Sequence, residues 1–253
     1  MQANCSMNQA INLTPITPIR SQPSHRSEMV SQLLFGEGVK TGNTQDEFVE
    51  VQAMYDGYTG WVQQRQLTPV EALPANWQIA THASSIMING AGLMIPAGSQ
   101  VPMPGTHSVG NYQLQVFEQF EAPAATGADK IILLAQQYLG ASYLWGGKSN
   151  WGVDCSGLTQ TVYKMAGLFL PRDAWQQAEK GEALGFLQEA QPGDLAFFDN
   201  AEGRITHVGI MLSPRQILHA SAQVRIDDID SQGIIHSGTG HRTHRLRILK
   251  RYL

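Results

Sequence analysis

The stretch that decides the fold is residues 143–157, with the sequence YLWGGKSNWGVDCSG. Its glycines predict a loop, and the apolar residues after Cys155 recur at helical spacing until Gly167 ends the helix. Cys155 is therefore predicted to begin a helix, where unpaired backbone N–H groups and the positive end of the helix dipole favour a thiolate. The same N–H groups can stabilise an oxyanion, so the stretch predicts a cysteine nucleophile.

A cysteine nucleophile needs a general base, and two histidines in predicted strands fit the base and its orienting partner. His207 lies in THVGIM and His219 in QILHAS, and a predicted hairpin through residues 213–215 joins the two strands. If His207 and His219 paired directly across the hairpin, the turn would be centred on Ser213, which is six residues from each. An odd loop keeps both imidazoles on one face, whereas an even loop separates them unless a bulge intervenes. We therefore expect an odd loop.

Simpler interpretations stay open for each of these residues. Cys155 can be a small buried hydrophobe, and a lone histidine in a strand usually has a structural role. A zinc site made of Cys155, His207 and His219 is a third interpretation, although the sequence lacks the paired CxxC or HExxH spacing of zinc sites. Three later histidines are predicted to be solvated: His236, His241 and His244.

The chain divides into a β-rich half and a half in which helices precede strands, which predicts an α+β fold class. Short strand-like runs separated by turn signals predict two small β-barrels in the first half. The predicted segments are a leader at residues 1–19, a first barrel at 20–72, a second β domain at 73–122 and an α+β domain at 123–253, with a linker at 122–127. In the last domain the predicted helices are residues 128–139 and 155–165, and the predicted strands are 194–198, 207–212, 216–220 and 245–249.

Composition excludes several classes of protein. Of the 253 residues, 42% are hydrophobic and 15% charged, which indicates a globular rather than a disordered chain. The formal net charge is −4 and no basic run exceeds two residues, so nucleic acid is not a predicted partner. No apolar stretch approaches the length of about 18 residues that would predict a transmembrane helix, so no membrane partner is expected either.

The first residues, MQANCSMNQAINLTPITPIR, lack the basic and apolar regions of a secretion signal. A cytoplasmic location is therefore predicted, with export left open should the gene start further upstream. Cys5 and Cys155 are the two cysteines, and although one disulfide between them is conceivable, a reducing compartment favours free thiols.

Five motifs in order identify a resemblance over residues 128–253. After YLWGGKSNWGVDCSG come LPRDAWQQ at residues 170–177, QPGDLAFF at 191–198, THVGIML at 206–212 and ILHAS at 217–221. Together they resemble the NlpC/p60 cysteine peptidases, papain-like enzymes that cut bacterial cell-wall peptides. The resemblance implies that Cys155 is the nucleophile, His207 the general base and His219 the residue that orients His207, with Tyr143 lining the oxyanion side.

Barrels that precede such a domain are typical of the γ-D-glutamyl-L-diamino acid endopeptidases, so the two β domains are predicted to be bacterial SH3-like. This subgroup splits L-Ala-γ-D-Glu from meso-diaminopimelate or L-lysine in murein tripeptides and tetrapeptides, and it requires a free N-terminal L-Ala. An acidic residue and a tyrosine of the first barrel close the pocket around the terminal amine. By position, Tyr58 matches the tyrosine, and Glu28 is the candidate acid with Glu37 as the alternative.

The resemblance implies three further substrate contacts. Asp173 would be a second anchor for the amine, and Asp154 and Ser156 would contact the γ-D-Glu portion. Members of the subgroup often have serine after the Arg-Asp pair, where this chain has Ala174, which removes one possible hydroxyl contact.

Two other functions remain open beside murein-peptide recycling. The chain can be a non-catalytic module that binds cell-wall peptides, or an acyltransferase that uses the same thioester. The peptidase mechanism requires no metal or organic cofactor. The sequence makes no prediction of the preferred diamino acid or of the oligomeric state.

Overall fold

The protein's structure is a computed structural model, which describes residues 8–120 and 127–253. The chain forms two compact units, Met1–Ala122 and Pro123–Leu253. Cys5 and most of the predicted linker lie outside the described residues.

The first unit is built from short antiparallel strands. The strands that form its seven-stranded sheet are β1 Asn8–Asn12, β2 Ile16–Arg20, β3 Met29–Leu34, β4 Gly38–Gln45, β5 Phe48–Ala53, β6 Thr59–Gln63 and β7 Leu67–Val70. Their order is β3-β2-β6-β5-β4-β1-β7. In β5, Val49, Val51 and Ala53 alternate with more exposed residues and are buried in the core. Pro69 lies in β7, at the edge of the sheet, where a missing N–H is tolerated.

Two of these strands come from residues that the sequence assigned to a leader. β1 lies between β4 and β7, and β2 pairs with β3. Ile11 and Ile19 are buried, but each strand is only five residues long. Because Pro15 and Pro18 interrupt so short an alternation, the pattern was too weak to predict strands. The folded part of this sheet therefore includes residues 8–20, and the first sheet does not begin at residue 20.

The remaining strands of the first unit form two smaller sheets. These strands are β8 Gln78–Ile79, β9 Ser84–Ile88, β10 Ala91–Ile95, β11 Gln100–Val101, β12 Gly105–Val109 and β13 Tyr112–Val116. The larger sheet has the order β10-β9-β13-β12, and β11 pairs with β8. Their core contains Ile11, Leu13 and Phe35 from the first sheet region as well as Ile86 and Leu114. The two β segments of this unit thus share a core.

The second unit contains the α-helices of the described residues. They are α1 Ala128–Gln136, α2 Cys155–Ala166 and α3 Ala174–Ala178. The strands of this unit are β14 Lys148–Ser149, β15 Gly152–Val153, β16 Glu182–Leu184, β17 Leu195–Asp199, β18 Ile205–Ser213, β19 Gln216–Ser221, β20 Gln223–Asp230, β21 Gly233–Ile235 and β22 Arg242–Arg251.

Six of these strands close a barrel. The order is β22-β17-β18-β19-β20-β21, and β21 pairs back onto the start of β22, while β16 pairs with the end of the same edge of β22. Apolar side chains including Phe198, Met211 and Ile234 are buried in its core. α2 contacts α1, β18 and β19, so the start of α2 lies beside the strands that carry the candidate histidines.

The structure confirms the predicted start of α2 at Cys155 and its end at Gly167, which adopts the left-handed conformation that favours glycine. α1 ends three residues earlier than predicted. β20 and β21, which the sequence did not predict, complete the barrel, so the described chain contains more strand than the predicted α+β class suggested.

Candidate active site

The glycine-rich loop is tied to the first turn of α2. Asp154, immediately before Cys155, accepts hydrogen bonds from the backbone N–H groups of Gly157 at 2.7 Å and Gly146 at 2.8 Å. A Cβ atom on Gly157 would lie 2.0 Å from the carbonyl oxygen of Gly147. Only glycine allows this approach, and the resulting contact fixes the loop beside the candidate nucleophile.

A buried ion pair holds the residues on either side of Cys155. The Arg172 guanidinium donates to both carboxylate oxygens of Asp154, at 3.1 and 2.6 Å, and to the Ser156 hydroxyl oxygen at 2.9 Å. All three side chains are buried. The contacts that the structure gives Asp154 and Ser156 are thus inside the protein, whereas contact with γ-D-Glu remains a prediction. Their evident structural effect is to fix the backbone on both sides of the sulfur.

The two candidate histidines lie on the same face of adjacent strands, as the catalytic hypothesis requires. His219 is directly opposite Gly209, so His207 is its diagonal neighbour. The predicted odd loop is wrong, because Ser213 pairs with Gln216 and leaves a two-residue loop. A bulge between Met211 and Ser213 adds one residue to the strand, so both histidines lie on the same face despite the even loop. His207 Nε2 lies 2.9 Å from His219 Nδ1.

A buried carboxylate continues this chain of hydrogen bonds. Asp227 Oδ2 lies 3.0 Å from His219 Nε2 and accepts from Arg225 Nε at 2.9 Å, and Asp227 Oδ1 accepts from the Ser237 N–H at 3.0 Å. Burial alone would raise the pKa of Asp227, but the hydrogen bonds from Ser237, His219 and Arg225 hold it well below its usual range. Asp227 is therefore an ionised acceptor behind His219.

An ionised Asp227 determines which ring nitrogens carry protons. Since the carboxylate only accepts, His219 carries its proton on Nε2 and accepts on Nδ1. His207 must then donate from Nε2, which leaves its Nδ1 with a lone pair. This is the tautomer in which His207 can act as a general base.

Burial favours the neutral forms of both Cys155 and His207. Burial, followed by the charge of Asp154, raises the pKa of the Cys155 thiol to about 12, although the N–H groups of Val208 and Ser156 oppose the shift. Burial also lowers the pKa of His207 well below its usual value, with a smaller contribution from His244. Burial thus opposes the thiolate that the helix N-terminus was predicted to favour, and it favours a neutral His207 imidazole.

Tyr143 lies close to the sulfur at the edge of a pocket. Burial raises the pKa of its phenol, and Cys155 and Asp154 add to the effect. The phenol is therefore a neutral hydrogen-bond donor. A pocket of about 290 Å³ is lined by Tyr143, Thr206, His207, Ala220, Ser221, Ala222 and His244.

The predicted amine anchors are distributed over both units. In the first unit, Glu28 is exposed, and Tyr58 is partly buried against the core of the first sheet. Glu37, the alternative acid, is buried and accepts a hydrogen bond from the Leu34 N–H at 2.9 Å, which gives it a structural role. In the second unit, Asp173 directly precedes α3 and its N–H donates to Gln176.

Sequence reasoning missed three residues at this site. Arg172 was visible only as part of a motif, and Asp227 lies in a strand that was not predicted. His244 was assigned to a solvated group, whereas its imidazole stacks on His207 with ring centroids 4.1 Å apart and an interplanar angle of 23°. The available signal was in the sequence, where Leu246 and Ile248 alternate with arginines and place His244 on the same face of the strand as the apolar residues.

Two parts of the chain match known protein families. Residues 140–243 match the NlpC/P60 family. The chain carries an NlpC/P60 domain. Residues 19–67 match the bacterial dipeptidyl-peptidase Sh3 domain, so an SH3-like domain precedes the NlpC/P60 domain. The resemblance drawn from the five motifs is thereby confirmed.

Two curated relatives come from Bacillus, and both are named gamma-D-glutamyl-L-lysine dipeptidyl-peptidase. The Bacillus cereus protein is 35% identical over 122 residues, which cover 46% of this chain and 36% of the relative. The Bacillus subtilis protein is 29% identical over 212 residues, covering 75% of this chain and 71% of the relative. This chain therefore spans about a third of the first relative and most of the second.

A crystal structure supports the fold. An NlpC/P60 family protein from Bacillus cereus superposes with a TM-score of 0.84, covering 97% of this chain and 99% of that one at 21% identity. Within the described residues, no helix has the length and apolar character needed to cross a membrane.

Proposed function

We propose that this protein is a cysteine peptidase that hydrolyses the bond between γ-D-Glu and a diamino acid in murein peptides with a free N-terminal L-Ala. The observation that carries the proposal is Cys155 at the start of α2, with the His207–His219–Asp227 chain on the adjoining strands of an NlpC/P60 domain. The names of the two Bacillus relatives support a γ-D-glutamyl bond as the target.

The proposed reaction begins with a neutral thiol. As Cys155 Sγ attacks the γ-carbonyl carbon of D-Glu, His207 Nδ1 takes the thiol proton, and the negative charge moves to the carbonyl oxygen. The Cys155 N–H at the start of α2 and the Tyr143 hydroxyl are the donors proposed for that oxygen. Collapse breaks the C–N bond, and His207 returns the proton to the departing amine. Water, deprotonated by His207, then attacks the thioester carbonyl, the C–S bond breaks to release L-Ala-γ-D-Glu, and His207 returns the proton to the Cys155 sulfur.

Binding of the terminal amine would determine which bond of the substrate reaches Cys155. Glu28 and Tyr58 of the SH3-like domain, together with Asp173, are proposed to bind the ammonium group of L-Ala, because an ammonium that loses water needs carboxylate partners. Asp154 and Ser156 are proposed to contact the γ-D-Glu portion. Cleavage then falls after the second residue, which releases L-Ala-γ-D-Glu.

A requirement for free L-Ala places the reaction after an amide hydrolysis that detaches the peptide from its glycan strand. We therefore propose freed tripeptides and tetrapeptides as substrates, with either meso-diaminopimelate or L-lysine in third position, and a cytoplasmic recycling role. The same proposal includes a division into three domains. They are a first SH3-like domain at residues 20–72, a second SH3-like domain at 73–122 and a papain-like catalytic domain at 123–253.

The test compares substrates that differ only at the amine. Incubation with L-Ala-γ-D-Glu-meso-diaminopimelate and with its L-lysine counterpart, read by mass spectrometry, should release L-Ala-γ-D-Glu from at least one of them. The N-acetylated peptides should not be cleaved.

The outcomes separate the parts of the proposal. Equal cleavage of the acetylated peptide would overturn the amine anchor and leave the thiol mechanism standing. Binding of all four peptides without cleavage of any would indicate a binding module. Transfer of L-Ala-γ-D-Glu to an added amine in place of water would indicate an acyltransferase.

A further inference from the structure

His207, His219 and His244 form a group in which one ring nitrogen from each residue lies within 4.8 Å of the others. Such a spacing raises the question of a metal ion, which in proteins lies about 2.0–2.1 Å from each imidazole nitrogen. The rings of His207 and His244 are stacked, however, with centroids 4.1 Å apart and an interplanar angle of 23°. Their in-plane lone pairs run in nearly parallel planes and do not converge on one point. The observed arrangement therefore suits ring packing better than metal coordination.

We propose that His244 is a positioning residue, whose imidazole packs flat on His207 and keeps the base turned toward Cys155. This inference rests on the peptidase activity proposed above. It concerns a residue just beyond the matched NlpC/P60 residues, which end at 243. No relative's name or family match assigns His244 a role.

The physical need for such a residue follows from the histidine side chain. The terminal torsion of histidine is broad and roughly two-fold, so a single hydrogen bond leaves the ring free to swing. A half-turn of His207 would break its 2.9 Å hydrogen bond to His219 and put Cδ2 where Nδ1 now lies. The His219 contact fixes one ring edge, and the stack with His244 restrains the ring face.

His244 is itself held in place. Its Nδ1 lies 2.8 Å from the Thr243 hydroxyl oxygen, and its ring meets Phe198 edge-on, with centroids 6.0 Å apart. Phe198 also contacts His207, at 5.7 Å between centroids. Along the backbone, Gly233 lies so close that a Cβ atom there would be 1.8 Å from the His244 carbonyl oxygen. The backbone position of His244 is thus set by close packing of β21 against β22.

The role also suits the position of His244 in the pocket. Its side chain is neither fully buried nor exposed, and it lines the same pocket as Tyr143 and His207. Its loss would leave a gap against the face of His207 that water can enter. The expected consequence is a loosely oriented base, which lowers the rate of the chemical step and leaves substrate binding nearly unchanged.

The test uses His244→Ala and His244→Phe, with His241→Ala as the matched control. Phenylalanine keeps a flat ring for stacking and lacks ring nitrogens, and His241 is an exposed histidine of the same segment. For His244→Ala we expect kcat to fall about tenfold or more, with KM within about twofold of wild type. His244→Phe should recover most of the lost kcat, and His241→Ala should match wild type.

A second measurement does not depend on turnover. Nitrogen-15 spectra of the imidazoles should show one tautomer of His207, hydrogen-bonded to His219, in wild type and in His244→Phe. In His244→Ala the same signals should broaden or average.

Unchanged kcat and unchanged His207 signals in His244→Ala would overturn the inference. So would equal losses of kcat in the alanine and phenylalanine variants, or a rise in KM without a fall in kcat. If wild type cleaves none of the peptides, the proposed function fails, and the spectra alone decide whether His244 orients His207.

Discussion

At the scale of single residues, the site depends on the direction of hydrogen bonds. His207 and His219 were found from the sequence because each lies in a strand-like motif, and the structure joins them at 2.9 Å. Asp227 was not found, since its strand was not predicted and one acidic residue in a polar stretch carries no signal. Yet the ionised Asp227 sets the tautomer of both histidines.

We predict that Asp227→Asn lowers kcat by about 10²-fold or more, because an amide can donate to His219 and reverse the chain of hydrogen bonds. His207 would then hold a proton on Nδ1 and could not accept one from the thiol. Steady-state kinetics on the cleaved tripeptide would measure the loss.

Asp228→Asn is the matched control, since the neighbouring Asp228 is exposed on the same strand. Activity of Asp227→Asn equal to that of this control would show that the tautomer argument is wrong. Urea unfolding of both variants would show whether a loss of activity reflects a loss of fold.

At the scale of elements, the start of α2 was predictable and the hairpin register was not. The glycine-rich loop, Asp154 and Gly167 are local signals that mark the two ends of a helix. The bulge at Leu212 has no such local signature, because it depends on how β18 and β19 twist within the barrel. The pair of histidines shares a face because of that bulge, and not because of the odd loop that the sequence suggested.

The contact between the glycine-rich loop and α2 leads to a stability prediction. Gly157→Ala would place a methyl group 2.0 Å from the Gly147 carbonyl oxygen, so the loop or the helix must move. We expect the free energy of unfolding to fall by about 1–3 kcal/mol, the usual cost of overpacking.

Gly127→Ala is a suitable reference for this variant, because nothing lies within 4 Å of a Cβ at Gly127 and its φ is −65°. Thermal and urea unfolding would compare the two. Equal stability of both variants would contradict the tight loop-to-helix contact.

At the scale of the whole molecule, the motifs predicted the NlpC/P60 domain and an SH3-like domain before it. The closed barrel was only partly predicted, since β20 is polar and β21 is only three residues long, so neither shows a clear strand pattern. The shared core of the two β segments was also not predictable. In this core, Ile11 and Phe35 pack with Ile86 and Leu114. A sequence pattern shows which residues are apolar, but it does not show which apolar faces pack against each other.

The central claim is that Cys155 is the nucleophile of a γ-D-glutamyl peptidase, and one comparison of proteins tests it most directly. Wild type and Cys155→Ala, each shown to be folded, would be incubated with L-Ala-γ-D-Glu-meso-diaminopimelate and its L-lysine counterpart, and the products identified by mass spectrometry. The account predicts that wild type releases L-Ala-γ-D-Glu and that Cys155→Ala releases none. Equal release by both proteins, or cleavage at another bond, would contradict it.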